Sequence, residues 1–158
     1  MSFDIKSFRH ALGSFPTGVA VVTAAVESEP VGITVNSFTS VSLDPPLVLW
    51  CLKKDSNRYH AFMEAKGFTI SVLGTEHESV SARLARQGEH KLQDMELLET
   101  ELGPPALADA HAVFECAREA IHDGGDHSIL IGRVLRFARR DDGAPLVFYR
   151  GRYGALSD

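Results

Sequence analysis

Cysteine and long apolar runs are scarce in this sequence of 158 residues. The two cysteines, Cys51 and Cys116, lie far apart and lack the CxxC spacing of zinc or redox sites. We therefore expect two reduced thiols packed among apolar neighbours. The longest apolar stretch, residues 45–52, is much shorter than the roughly 18 residues that a membrane-spanning helix needs. Since Asp4 also interrupts any signal peptide, we expect a cytoplasmic protein with no membrane partner.

A surplus of positive charge is also missing. The chain carries 16 Lys and Arg against 21 Asp and Glu, a net charge of −5, and the basic residues are scattered. Binding to a nucleic-acid backbone requires a basic surface, so we exclude nucleic acid as a partner. Neither GxGxxG nor GxxxxGKS/T occurs, so any nucleotide must be held without the usual glycine-rich loops.

Short β-branched and apolar runs, separated by turn residues, dominate what the sequence does contain. They predict seven strands, over residues 19–26, 31–40, 47–53, 68–73, 113–121, 129–138 and 146–149. Helices are predicted over residues 5–15, after a cap at Ser56, and after the capping pair Thr75 and Glu78, and residues 91–98 have the pattern of a further short helix. Because tight turns join most strands, we expect a mainly β protein, a closed antiparallel barrel forming one domain over residues 1–158.

Residues 32–42, Gly-Ile-Thr-Val-Asn-Ser-Phe-Thr-Ser-Val-Ser, concentrate hydrogen-bonding side chains in a strand and its exit. Buried without partners, such side chains would be destabilising. One interpretation is a Ser- and Thr-rich edge strand that faces water. The other is a binding strip for a flavin ring, in which the side chains of residues 34–37 donate hydrogen bonds to its electron-rich reduced form.

A second polar cluster, formed by Lys53, Lys54, Ser56 and Asn57, lies where a predicted strand meets a predicted helix. Backbone N–H groups at a helix start favour an anion, so the cluster is a candidate phosphate site. An ordinary solvated helix cap with two exposed lysines is the alternative interpretation.

Both clusters belong to a longer set of motifs that closely resembles the flavin reductase-like family of short-chain, FMN-binding split-barrel proteins. The resemblance rests on Phe15-Pro16-Thr17-Gly18-Val19, Thr34-Val35-Asn36-Ser37-Phe38, Ser40-Val41-Ser42, Pro45-Pro46-Leu47-Val48, Gly125-Asp126-His127 and Gly132-Arg133-Val134. It implies a six-stranded Greek-key barrel with short helices, and a homodimer with FMN or FAD bound near the subunit interface. It also implies hydride transfer from NADH or NADPH to the flavin, and a partner monooxygenase that receives the reduced flavin.

The resemblance further assigns roles to individual residues. The implied cofactor-binding residues are Pro16, Thr17, Thr34, Val35, Asn36, Ser37, Ser42, Cys51, Leu52, Lys53, Ser56, Asn57, Arg83 and Tyr153. Within this set, residues 34–37 would face the isoalloxazine ring. Ser42, Lys53 and Ser56 would lie together on the ribityl-phosphate side of the flavin.

His127 is the catalytic residue that the resemblance implies, at the nicotinamide pocket, and Tyr153 would cover the same opening. From the residues alone, an equal alternative is a turn histidine that caps the following strand. We expect no metal site at His122, Asp123, Asp126 and His127, because the intervening glycines mark a tight turn and no further ligand cluster accompanies them.

Two alternative functions remain open on this sequence. A flavin-binding carrier or redox sensor without turnover would have the same fold. A haem- or pyridoxal-phosphate-binding split barrel is disfavoured by the pattern over residues 34–42. Residues 88–92, Gly-Glu-His-Lys-Leu, depart from the family pattern and leave both the preferred flavin and the cover over the site undecided.

Overall fold

The computed structural model describes residues 2–27 and 29–157, so residues 1 and 158, the ends of the predicted domain, lie outside it. Helix α1, Ile5–Leu12, is the first predicted helix. The Asp4 carboxylate caps it by accepting hydrogen bonds from the N–H groups of Lys6 and Ser7 at 3.0 and 3.3 Å. All side chains of α1 are exposed, so its apolar residues lie on the surface of the protomer.

Helix α2, Tyr59–Glu64, begins later than the predicted cap at Ser56. That prediction is wrong, because the Ser56 hydroxyl accepts a hydrogen bond of 3.2 Å from the N–H of Arg58, before the helix begins. A single short helix has a weak dipole, so the helix-start argument for a phosphate site at this point loses its force.

Helix α3, Glu78–Leu84, directly follows a 3₁₀ turn at Thr75–His77. The predicted capping pair of Thr75 and Glu78 is wrong, because Gly74 precedes the turn and its N–H donates to Nδ1 of His77 at 3.1 Å. Over the described part of the chain, none of the helices has the length and apolar character needed to cross a bilayer.

The strands are short except for one long hairpin near the C-terminus. Over the described residues they are β1 (Thr17–Gly18), β2 (Ala20–Val26), β3 (Glu29–Val35), β4 (Thr39–Leu43), β5 (Pro46–Lys53), β6 (Gly67–Val72), β7 (Leu97–Leu98), β8 (Ala106–Leu107), β9 (Ala112–Gly124), β10 (His127–Arg139), β11 (Val147–Tyr149) and β12 (Arg152–Gly154).

The main sheet, within residues 2–27 and 29–157, has seven strands in the order β3-β2-β6-β9-β10-β5-β4, and all neighbouring pairs are antiparallel. Residues 36–38 connect the two edge strands, β3 and β4. The predicted single strand over residues 31–40 is therefore wrong in its extent, because the chain leaves one edge of the sheet at Asn36 and joins the other at Thr39. This break also explains the seventh strand, since the resemblance implied six.

The main sheet is strongly curled. Strands β9 and β10 separate β6 from β5, which in a flat sheet would place them roughly 14 Å apart. The rings of Trp50 on β5 and Phe68 on β6 nevertheless meet edge to face, with centroids 5.6 Å apart. The predicted mainly β, antiparallel barrel fold is thus confirmed. Among the described residues no ladder joins β3 to β4, so the barrel is split rather than closed.

A second apolar cluster covers the outer face of β2. Because side chains alternate along a strand, Val22 points into the main core, whereas Val21 packs in the second cluster with Leu84 and Leu107. The apolar side of α3 thereby lies against the sheet, and α3 is fixed beside β3.

Three hydroxyls on this outer face hold the segment over residues 104–107. Thr23 and Thr69 donate to successive proline carbonyls at 2.6 and 2.7 Å, and Ser71 accepts an N–H at 3.0 Å. The predicted helix over residues 91–98 is wrong. Residues 91–98 run against the sheet and end in β7, which pairs with β8. The backbone groups of this segment are satisfied by tertiary contacts rather than by a helix.

A small sheet of β1, β11 and β12 adjoins the barrel. Phe148 lies opposite both Thr17 of β1 and Tyr153 of β12. The N–H of Arg150, in the β11–β12 turn, donates to the carbonyl oxygen of Gly13 at 3.0 Å and ties the hairpin to the end of α1. The predicted strand over residues 146–149 is present as β11, but it belongs to this small sheet.

Candidate active site

Thr34 and Asn36 lie where β3 leaves the main sheet. The hydroxyl of Thr34 donates a hydrogen bond of 2.7 Å to the carbonyl oxygen of Ser81 on α3. Because a hydroxyl has a single proton, only the acceptor lone pairs of Thr34 are left for a ligand. The predicted donor role of Thr34 is therefore wrong. The exposed amide of Asn36 is the donor that this segment offers.

Ser37 and Cys51 connect this strand exit to β5. The hydroxyl of Ser37 accepts a hydrogen bond of 2.9 Å from the N–H of Cys51, so it is used to hold two parts of the backbone together. The side chain of Cys51 is partly exposed. Leu52 is 0% exposed and Val35 is 8% exposed, both in the main core. Because the Leu52 side chain faces the core, only its backbone is left for the predicted cofactor contact.

An open cleft of about 790 Å³ adjoins the strand exit and is lined by Thr17, Asn36 and Phe148 among others. Its volume lies within the range of roughly 300–1,000 Å³ that is usual for small-molecule sites. Pro16 is exposed directly before Thr17. In the described part of the chain, the Thr17 hydroxyl oxygen is buried without a hydrogen-bond partner. A polar ligand in the cleft would satisfy it.

The ionisable side chains that line this cleft are all basic in the described residues: Arg9, His10 and Arg150. The two arginines concentrate positive charge in a chain of net charge −5. Arg150 has φ of 49°, in the left-handed region that non-glycine residues rarely adopt. Its guanidinium lies 5.0 Å from the ring centroid of Tyr149. The cleft is therefore suited to an anionic ligand.

A smaller cavity of about 180 Å³ shares Asn36 and Phe148 with the cleft. Thr34 and Tyr153 also line it. The rings of Phe148 and Tyr153 meet edge to face with centroids 5.6 Å apart, and the Tyr153 hydroxyl lies 2.7 Å from the hydroxyl of Ser81. The structure thus brings the predicted residues Thr34, Asn36 and Tyr153 together.

Lys53 and His127 lie opposite each other on β5 and β10, on the same outer face as Cys51. Neither lines the cleft or the small cavity of the described chain. Nδ1 of His127 lies 2.8 Å from Oδ1 of Asp126, and this hydrogen bond lowers the pKa of Asp126, as does the charge of His127. Lys53 forms an ion pair of 3.3 Å with Asp55. On the predicted phosphate side of the site, Lys53 and His127 therefore lie next to each other on the outer face of β5 and β10.

Ser42 lies far from Lys53 within one chain. It pairs with Leu47 at the start of β5, whereas Lys53 is the last residue of the same strand. At a rise of about 3.3 Å per residue, the two positions are roughly 20 Å apart along the strand. Within one chain, a single ribityl-phosphate group therefore cannot contact both Ser42 and Lys53, and the role predicted for Ser42 stays a prediction.

Arg83 lines a separate depression of about 310 Å³, and Asn57 contacts His90, another residue of its lining. Arg83 donates to two backbone carbonyls of the neighbouring loop at 2.8 and 2.9 Å. Asn57 lies 3.2 Å from Nδ1 of His90, and its side-chain oxygen accepts the N–H of Gly88 at 3.4 Å. These two predicted phosphate contacts both hold the loop in place.

The segment over residues 88–92 is packed against β3 rather than standing free over the site. The N–H of Gly32 donates to the carbonyl oxygen of His90 at 3.0 Å, and Leu92 is 5% exposed in the second cluster. Arg58 is buried beneath the segment and donates to the carbonyl oxygen of Glu89. Burial lowers the pKa of Arg58. The residues that depart from the family pattern therefore lie in a segment that is packed against the barrel.

His122 and Asp123 lie at the end of β9, beside the turn into β10, where the acidic side chains form ion pairs. Asp123 pairs with Lys54, and Asp126 pairs with His127. In the portion of the chain that is described, no group of three or more His, Cys, Asp or Glu side chains is arranged to hold a metal ion.

The sequence analysis missed Arg9, Arg150, Phe148 and Ser81. Arg9 reads as an ordinary basic residue in the last turn of a helix, and Ser81 as a neutral position within one. The signal available in the sequence was Gly151, a turn residue just after the apolar run 146–149; in the structure Arg150 and Gly151 have φ of 49° and 76° and form the two-residue turn between β11 and β12. Such a pair marks a tight hairpin turn, which would have placed Phe148 opposite Tyr153.

Comparison with known proteins agrees with this arrangement. Residues 12–157 match the Flavin reductase like domain. The FMN reductase (NADH) SmoA of Agrobacterium fabrum is 51% identical over 152 residues, which cover 96% of this chain and 86% of that protein. HsaB of Rhodococcus jostii, the reductase subunit of a flavin-dependent monooxygenase, is 38% identical, with 98% and 80% covered.

A solved structure gives the same result for the fold. The Streptomyces globisporus NADH:FAD oxidoreductase SgcE6, in complex with NAD and FAD fragments, superposes with a TM-score of 0.91 at 37% identity, covering 99% of this chain and 97% of that one. The family that the sequence motifs predicted is therefore confirmed: the chain belongs to the flavin reductase like domain family.

Proposed function

We propose that this protein is an NAD(P)H:flavin oxidoreductase that transfers a hydride from NADH or NADPH to FMN or FAD. The observation that carries the proposal is one cleft, with its adjoining cavity, at which Thr17, Thr34 and Asn36 meet the rings of Phe148 and Tyr153. The pyrimidine end of a flavin offers carbonyl and N–H groups to such side chains, and its benzenoid end needs apolar cover. Membership of the family supports the same activity.

Flavin and nicotinamide supply the hydride chemistry when both are bound, so the task of this chain is positioning. Asn36 donates to a carbonyl oxygen of the ring, and Thr34 accepts from an N–H group. The hydroxyl of Thr17, which is buried without a partner among the described residues, contacts the ring edge. Phe148 and Tyr153 exclude water from the reacting faces.

The path of the flavin follows the outer face of β5. Ser37, next to Asn36, contacts Cys51, and Cys51 shares its face with Lys53 and His127. A flavin whose ring lies at Asn36 can therefore extend past Cys51 and direct its phosphate toward Lys53. His127, opposite Lys53 on the same face, then lies beside the ribityl-phosphate part of the flavin. Its proposed catalytic role at the nicotinamide requires the nucleotide to extend from the ring toward this end of β5.

We further propose a cytoplasmic homodimer, each chain forming one domain over residues 1–158, that delivers reduced flavin to a partner monooxygenase. Large apolar side chains that are exposed on the protomer support dimer formation, including Phe8 on α1, Leu43 at 94% exposure and Phe137 at 73%. The mass of the purified protein from light scattering tests this part of the proposal.

The activity is tested by NADH and NADPH consumption with FMN and then FAD at increasing concentration, alongside the absorbance spectrum of the protein as isolated. Saturable, flavin-dependent oxidation supports the reductase and ranks both cofactors. Tight flavin binding without any NAD(P)H oxidation would instead favour the carrier or sensor.

A further inference from the structure

Ser81 lies on α3 behind the small cavity and is 0% exposed. Its hydroxyl and its carbonyl oxygen each contact a residue of the proposed site. Its hydroxyl shares a hydrogen bond of 2.7 Å with the hydroxyl of Tyr153, and its carbonyl oxygen accepts one of 2.7 Å from the hydroxyl of Thr34. Ser81 itself lines neither the cleft nor the cavity in the described chain.

The carbonyl oxygen of Ser81 fixes the direction of the Thr34 hydroxyl. It accepts the N–H of Ala85 at 3.0 Å, as its helix requires, and the hydroxyl proton of Thr34 as well. Both lone pairs of the carbonyl oxygen are therefore used. Since Thr34 lines the cavity, its own lone pairs remain there to accept a hydrogen bond from a ligand.

The hydroxyl of Ser81 fixes the ring of Tyr153. Tyr153 lies on β12, the outer strand of the small sheet, and pairs only with β11 within that sheet. The hydrogen bond between the hydroxyls of Ser81 and Tyr153 connects β12 directly to α3. Its serine end is fully buried, which strengthens the bond relative to one exposed to water.

We propose that Ser81 is a positioning residue for flavin reduction, which holds Tyr153 over the nicotinamide opening and Thr34 as a hydrogen-bond acceptor for the flavin. The inference rests on the proposed function. The two contacts can be tested separately. The substitution Ser81→Ala removes the hydroxyl that contacts Tyr153 but leaves the carbonyl oxygen that contacts Thr34.

The kinetic test compares Ser81→Ala, Tyr153→Phe and the double variant. We expect each single variant to raise the KM for the nicotinamide nucleotide about 5- to 10-fold, the effect of one lost buried hydrogen bond, and to leave the KM for FMN unchanged. The double variant should be no worse than either single variant, because both remove the same contact. Losses that multiply in the double variant, or equal increases in both KM values, would overturn the inference.

Ser71→Ala is the matched control. Ser71 is also 0% exposed, and its hydroxyl accepts the N–H of Leu107 at 3.0 Å on the outer face of β6, within a different part of the fold. It should lose stability as any buried serine does, with both KM values unchanged. If Ser71→Ala raised the nicotinamide KM as much as Ser81→Ala, a general loss of stability would explain the effect and the inference would fail.

Hydrogen exchange on the protein without nucleotide provides a readout that does not depend on activity. Ser81→Ala and Tyr153→Phe should speed amide exchange over residues 147–154, and Ser71→Ala should not. A wild-type protein without NAD(P)H oxidation would refute the proposed function. An active wild type, with unchanged exchange and kinetics in Ser81→Ala, would refute the Ser81 inference alone.

Discussion

The N–H of Cys51 donates a hydrogen bond of 2.9 Å to the hydroxyl of Ser37, which joins the exit of β3 to the outer face of β5. Asn36, at the cleft, therefore lies one residue away from a contact with β5. The two polar clusters of the sequence, one at Asn36 and one at Lys53, therefore lie along one surface. We propose that a single ligand extends from one cluster to the other.

A flavin on that path must cover Cys51. We predict that saturating FMN slows the alkylation of Cys51 by iodoacetamide several-fold, measured by mass spectrometry of the labelled peptides. Cys116 is the internal control, because it is 1% exposed and burial raises the pKa of its thiol to about 12, so it should react slowly with or without FMN. Equal labelling of Cys51 in the presence and absence of FMN would contradict the proposed path.

The basic end of the cleft should bind the phosphates of the nicotinamide nucleotide. We predict that Arg150→Ala raises the KM for NADH or NADPH about tenfold, the usual effect of losing one charge-assisted hydrogen bond. Arg152→Ala is the matched control, since Arg152 lies on the same hairpin and is exposed but does not line the cleft. If both substitutions had the same effect, general electrostatic attraction rather than a site would be responsible.

The side chains of Phe68 and Cys116 pack closely against Gly132, where a Cβ atom would not fit. A Cβ atom at this position would lie 2.7 Å from Cζ of Phe68 and 2.9 Å from Cβ of Cys116. We predict that Gly132→Ala lowers the free energy of unfolding by about 1–3 kcal/mol, measured by urea denaturation. A Cβ atom at Gly18 would meet nothing within 4 Å, so Gly18→Ala should be close to neutral. The reverse order of the two variants would contradict the packing described for the barrel.

The buried thiol of Cys116 makes stability depend on alkaline pH. Its folded pKa of about 12 lies above the ordinary value of 9.0, so the folded state retains a proton that the unfolded state loses between these values. The contribution is complete below pH 9 and is lost as the pH rises toward 12, at up to about 1.4 kcal/mol per pH unit. Urea denaturation from pH 8 to 10.5 should show a steeper decline for the wild type than for Cys116→Ala. Parallel declines would mean that the thiol ionises freely in the folded protein.

The parts of the fold that sequence patterns predicted are those that local chemistry determines. The Asp4 cap places α1, and β-branched and apolar runs place β2 and β5. Residues 34–37 stand out because polar side chains in a strand need partners, and the structure does place Thr34 and Asn36 at a cavity.

The errors arose where the register of distant segments decides the outcome. Ser42 and Lys53 were placed together on the ribityl-phosphate side, but the pairing of β4 with β5 puts them at opposite ends of one strand within a chain. Leu52 was assigned to the site, and alternation with Cys51 turns its side chain into the core and leaves only its backbone for a ligand. The segment over residues 91–98 has a helical pattern, yet ends in β7 and pairs with β8.

The central claim is that hydride transfer to flavin occurs where Thr34 and Asn36 border the cleft. The most direct test is the rate of NADH consumption at increasing FMN concentration for the wild type and for the Thr34→Ala/Asn36→Ala double variant. We predict saturable oxidation by the wild type and a loss of at least about tenfold in kcat/KM for FMN in the variant, since two ligand hydrogen bonds are removed. Undiminished hydride transfer in the double variant would contradict the account.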